Sequence, residues 1–144
     1  MMRLTLKILS LLLAFHLVAN YCSVAADICI DENLKVNHIQ GHIVAGRLGD
    51  EEPIPNAEVE LKEFRNDEWQ TKVIVKADEA GFFRIENIPS GKYQMFVSAI
   101  PFRRFATSIR LKDSKSNPNK EIIIRLGIGE HDCGSAKVQK IKRK

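Results

Sequence analysis

Apolar and polar positions alternate with a period of two along most of this chain, in short runs separated by turn residues. That pattern predicts β-strands and no sustained helix. Seven runs stand out, at residues 37–45, 57–64, 70–76, 82–86, 92–99, 105–111 and 121–126. Alternation also assigns faces, because successive side chains of a strand point to opposite sides of its sheet. Ile39, Gly41, Ile43 and Ala45 share one face, as do Ala57, Val59 and Leu61. Val73 and Val75, Phe83 and Ile85, Met95 and Val97, Ile109 and Leu111, and Ile122, Ile124 and Leu126 complete a core for two packed sheets. The expectation is an all-β fold, a seven-stranded Greek-key β-sandwich.

Residues 78–99 read as a β-hairpin. Gly81 ends a turn, Phe83 and Ile85 alternate with Phe82 and Arg84, residues 88–91 connect, and Tyr93, Met95 and Val97 alternate with Gln94 and Phe96. Pairing Ile85 with Tyr93 sets Phe82 opposite Phe96, both on the outer face, as an apolar patch for an interface or a sugar. Between the other runs lie a Gly-, Pro- and acid-rich loop at 46–55, a polar turn at Arg65-Asn66-Asp67 and a Ser-, Asn- and Pro-rich loop at 113–120.

The first 26 residues have the zones of an export signal: Arg3 and Lys7, an apolar run from Ile8 to Val18, and Val24-Ala25-Ala26 before the cut. A spanning helix needs about 20 apolar residues, and His16, Asn20 and Ser23 interrupt this stretch. Cleavage before Asp27 leaves one domain's length of chain, secreted or periplasmic. Residues 27–35 are then an N-terminal lead-in, 36–127 the sandwich, and 128–144 a basic C-terminal tail. Cleavage also removes Cys22, so Cys29 and Cys133 are expected to pair in an oxidising compartment. A bridge closing about 104 residues is worth about 4 to 5 kcal/mol in the chain-entropy account.

Taking Arg3 and Lys7 from the 22 basic residues leaves 20 against 18 acids, a mature charge of +2. Lys137, Lys140, Lys142, Arg143 and Lys144 concentrate positive charge in residues 134–144, a stretch without acids. With no aromatic residue interleaved, the tail is read as a solvated terminus, and nucleic acid is not expected as a partner.

The run Pro53-Ile54-Pro55-Asn56-Ala57-Glu58-Val59-Glu60-Leu61, followed by Thr71, Asp78, Gly81, Phe83, Ile85, Ile88-Pro89, Gly91, Tyr93 and Val97, resembles the carboxypeptidase regulatory-like domain. The resemblance spans about residues 36–127 and implies a transthyretin-like or prealbumin-like β-sandwich that acts as a non-enzymatic module. Glycan binding is a further activity that it implies. The chain departs from the family after the central strand, where Ala99-Ile100-Pro101-Phe102 lacks a glycine and Arg103-Arg104-Phe105 makes the loop basic and aromatic.

Candidate binding residues are Phe82 and Phe96 on the outer face, Phe102, Arg103 and Arg104 in that loop, and Trp69, which follows a polar turn. No catalytic, metal or cofactor site is expected. His38 and His42 share a strand face but stand about 13 Å apart, and His131 with Glu130 and Asp132 falls short of a spaced set of zinc ligands. The expected role is a secreted module for protein binding or assembly at the cell envelope, with a carbohydrate-binding module using surface aromatics as the alternative. Edge strands leave room for a weak homodimer.

Overall fold

The computed structural model describes residues 28–47, 49–113, 120–128 and 132–141, with the backbone alone at 28–32 and 47. It is a sandwich of two mixed sheets without a helix among the described residues. Ten strands run in chain order: β1 (Ile28–Val36), β2 (Ile39–Arg47), β3 (Asp50–Pro53), β4 (Glu58–Arg65), β5 (Glu68–Lys76), β6 (Phe82–Ile85), β7 (Gly91–Ser98), β8 (Arg104–Leu111), β9 (Lys120–Arg125) and β10 (Ser135–Lys140). The first sheet has the order β1-β8-β7-β4-β5. The second runs β10-β9-β2, with β3 and β6 both pairing to the far side of β2. Two pairings are parallel, β1 with β8 and β2 with β9.

Each expected run becomes a strand, and three strands appear besides. β3 forms within the acidic loop by folding back on β2, with Val44 opposite Pro53 and Arg47 opposite Asp50. β1 occupies the expected lead-in, where the apolar positions 28, 30, 34 and 36 keep a period of two, and its register on β8 shifts between Asp31 and Leu34. β10 occupies the expected tail: Ala136 and Val138 pack against the core while Lys137 stays exposed and reaches Glu51 at 4.0 Å. The two sheets therefore extend beyond 36–127 at both ends, and the basic tail is in part a strand. Residues 142–144 and His131 lie outside those described.

The core is the interface between the inner faces. Ile39, Ile43, Phe83, Ile85, Ile122, Ile124 and Leu126 come from the second sheet and its continuations; Val59, Leu61, Tyr93, Met95, Val97, Phe105 and Ile109 come from the first. These are the positions that alternation places inward, and burying each large aliphatic or aromatic side chain stabilises the fold by roughly 1.5–3 kcal/mol. Gly41 is inward too, for a different reason. A Cβ there would lie 1.8 Å from the Ile122 carbonyl oxygen, so β2 and β9 can approach only with glycine at that point. Gly81 has φ +70°, and its carbonyl accepts the Ile43 amide at 2.8 Å. Ahead of it, Asp78 Oδ1 accepts the amides of Ala80 and Phe82 at 2.9 and 2.8 Å, which closes the turn.

The expected hairpin does not form. β6 pairs with β2, Ile39 opposite Ile85 and His42 opposite Phe82, whereas β7 pairs with β4 and β8. Residues 88–91 cross from one sheet to the other. Crossing lets Phe83 and Ile85 face Tyr93, Met95 and Val97 through the core, where a flat hairpin would place both sets side by side on one sheet. Tyr93 holds the crossing: its hydroxyl donates to the Pro89 carbonyl at 2.7 Å, and burial pushes its phenol above the usual range, with Glu63 adding to the effect.

The turn between β9 and β10 is closed by charge. Arg125 donates Nη1 and Nη2 to Asp132 Oδ2 and Oδ1, both at 2.9 Å, and the Gly134 amide donates to Oδ1 at 3.1 Å. The Arg125 hydrogen bonds, then the Gly134 amide, lower the Asp132 carboxyl from its ordinary 3.8 to about 2. Cys133, in the same turn, is disulfide-bonded; the side chain of Cys29, its expected partner, lies outside those described.

A depressed carboxylate stabilises the folded chain above its unfolded pKa, and that contribution is lost as pH falls through the folded value. Thermal unfolding of wild type and Asp132→Asn at stepped pH tests this. Wild type should be the more stable by about 1 kcal/mol or less above pH 4, because the pair is part-exposed. The gap should close as pH falls from about 4 toward about 2.

Candidate functional site

The outer face of the first sheet carries the surface chemistry of the molecule. Register places its outward residues in rows that cross the strands. Ala106, Phe96, Glu60 and Ile74 form one row over β8, β7, β4 and β5; Ser108, Gln94, Lys62 and Thr71 form the next; Phe64 and Trp69 follow on β4 and β5. A bulge between Leu61 and Lys62 restores the outward direction of Thr71 and Trp69 after the inward Val73.

Phe96 sits under two cations. Lys62 Nζ lies 5.0 Å and the Arg104 guanidinium 4.6 Å from its ring centroid. Glu60 neutralises both, accepting from Arg104 Nη2 at 2.9 Å and lying 3.5 Å from Lys62, and it accepts the Thr71 hydroxyl at 2.5 Å as well. The ring is covered on its open side by its own neighbours, so this cluster closes the sheet surface. A second ionic group lies beside it. Glu63 accepts from Lys72 at 3.0 Å and from Arg65 at 2.9 Å, and the Lys72 hydrogen bond first, with Arg65, holds its carboxyl below the usual range.

Apolar side chains are exposed on either side of these groups. Phe64 and Trp69 stack across β4 and β5 with ring centroids 5.3 Å apart, and they are 53% and 48% exposed. Ile74, further along β5, is 51% exposed. Trp69 also borders a shallow cleft of about 420 Å³ that reaches over β7 and β8 to β1, lined by Asn33, Lys35, Lys92, Ser108 and Arg110 together with Tyr93 and Ile109.

The expected binding residues are distributed over both sheets. Phe82 and Phe96 do not meet. Phe82 belongs to the second sheet, its ring 5.2 Å from that of His42, whose Nε2 stands 3.6 Å from Glu121. Their separation follows from the crossing at 88–91. Phe102 is partly buried and packs against the core, and the Arg103 amide donates to the Gly127 carbonyl at 3.1 Å, which ties this loop to the second sheet. Arg104 is committed to Glu60 and Phe96. Of the expected set, Trp69 alone borders the open cleft. Ile74, Lys35, Lys92 and Arg110 escaped the sequence reading. Their signal is parity, since each occupies an outward position, but only register brings them onto one face. Among the described residues no three His, Cys, Asp or Glu side chains gather as metal ligands.

No protein-family model matches the chain, nor does any curated protein. Among solved structures it is similar to the crystal structure of sea bream transthyretin in complex with thyroxine, at 11% sequence identity and a TM-score of 0.47, covering 74% of this chain and 98% of that one. The all-β sandwich expected from the sequence is the architecture observed, while the carboxypeptidase regulatory-like family remains a resemblance.

Glu60→Ala should destabilise the chain by about 1–2 kcal/mol, because Lys62 and Arg104 lose the carboxylate they share. Urea unfolding with circular dichroism measures this. A midpoint equal to wild type would mean that water satisfies the two cations as well as Glu60 does.

Proposed function

We propose that the mature chain is an exported, non-enzymatic recognition module that binds or assembles with a protein partner at the cell envelope or in the medium. The observation that carries this reading is the apolar outer face of the β4–β5 hairpin. Phe64, Trp69 and Ile74 are about half exposed there, while Val59 and Leu61 of β4 are buried and Val73 and Val75 of β5 pack partly buried against the core. Clustered exposed aromatic and aliphatic residues rimmed by ionic groups are a feature of protein interfaces. The edge of β5 is guarded by its bulge and by Lys72 and Lys76, a device that discourages strand addition. Recognition is therefore assigned to the face.

Export rests on the charged, apolar and small-residue zones of residues 1–26, and the disulfide at Cys133 fits an oxidising compartment. Pairing of Cys133 with Cys29 is part of this proposal. A second reading, carbohydrate binding, is supported by the position of Trp69 beside the cleft.

The test is cross-linking capture from native envelope and medium with wild type and with Phe64→Ser/Ile74→Asp. A protein captured by wild type alone, and rebinding when purified, is the expected result. Identical captured sets from the two proteins would remove the hairpin face as an interface.

A further inference from the structure

Three cations stand side by side in the cleft. Lys35 of β1 is opposite Arg110 of β8, and Arg110 is opposite Lys92 of β7. Neighbouring strands lie about 4.8 Å apart, so the row spans about 10 Å. Like charges directly opposite one another destabilise a sheet. Nearer β4 on the same face, Lys62 and Arg104 share the carboxylate of Glu60. Among the described residues no ion pair or hydrogen bond engages the side chains of Lys35, Lys92 or Arg110. The nearby carboxylate of Asp113 accepts the Ser90 hydroxyl.

We propose that this row and Trp69 form a binding site for an acidic sugar chain, of the uronate-bearing class. Each part of the cleft matches one part of such a ligand. The cations answer carboxylates repeated at about the length of one sugar ring. Trp69, backed by Phe64 at 5.3 Å, offers a flat apolar surface to a ring face. Asn33 and Ser108 supply neutral hydrogen-bonding groups for hydroxyls. A neutral glycan leaves the cations without a counterpart, and inorganic phosphate leaves Trp69 without one. A nucleic-acid single strand stacks its successive bases on several aromatics, and of the two aromatics lining this cleft Trp69 is exposed while Tyr93 is buried. The site lies on the same sheet face as the proposed protein surface but does not use Ile74, so the two assignments stand or fall separately.

Trp69 is the single tryptophan of the chain, so its fluorescence reports this cleft directly. Titrating the mature protein with tetragalacturonate should give a saturable fluorescence change that weakens as salt is raised. Lys92→Gln/Arg110→Gln should weaken binding at least tenfold, while its melting temperature equals or exceeds that of wild type because a like-charge contact is gone. Arg84→Gln, which removes an exposed cation on the second sheet, should bind as wild type does. The proposal is overturned if tetragalacturonate gives no response at millimolar concentration. It is equally overturned if an uncharged hexose tetramer, inorganic phosphate or a single-stranded oligonucleotide binds as well or better, or if the double variant binds undiminished. A lower melting temperature in that variant would contradict the like-charge contact on which the site is built.

Discussion

Residues 88–91 carry the chain from the second sheet to the first, and the hydrogen bond from Tyr93 to the Pro89 carbonyl holds that crossing in place. Most of the architecture follows from it. Because β6 joins β2 and β7 joins β4 and β8, the inward positions of the two segments face each other across a shared core. Phe83 and Ile85 are thereby buried against Tyr93, Met95 and Val97 without competing for the same side of one sheet. The close approach of β2 and β9 at Gly41 then seats Ile122 and Ile124 in the same core.

The outer faces inherit their chemistry from this arrangement. On the first sheet, rows of outward residues bring together side chains that lie far apart in the chain, and charge is distributed unevenly along the rows. Near β4, acids and bases satisfy one another and cap Phe96. Over β1, β8 and β7 they do not, and that end of the face is positive. Trp69 and Phe64 stand beside the two regions, an apolar surface next to a basic one. A face with unlike halves suits recognition better than a uniformly solvated one, since apolar contact contributes affinity and charge contributes selectivity.

Much of the fold is legible in the chain because burial in a strand has a period of two. Ile39 and Ile43, Val59 and Leu61, Met95 and Val97, and Ile122 and Ile124 all lie inward, as alternation places them. Pairing is less legible. Alternation says which residues share a face and nothing about which strand lies alongside, so Phe82 and Phe96 read as neighbours and are parted by the crossing. Strands β1 and β10 are masked by their charge: Asp31 and Glu32 interrupt the first, and Lys137 and Lys140 crowd the second. The basic row is the least legible feature. Lys35, Lys92 and Arg110 belong to separate segments, and each alone is an ordinary solvated residue until register sets them in line.

The central claim is that this molecule recognises its ligands through the outer face of the first sheet. Amide chemical shifts of the mature protein, recorded by NMR during titration with an acidic oligosaccharide, test it position by position. The account predicts changes concentrated at Lys35, Lys92, Ser108, Arg110 and Trp69, with His42 and Phe82 on the second sheet undisturbed. Changes centred on the second sheet, or spread evenly over every exposed lysine, would contradict it.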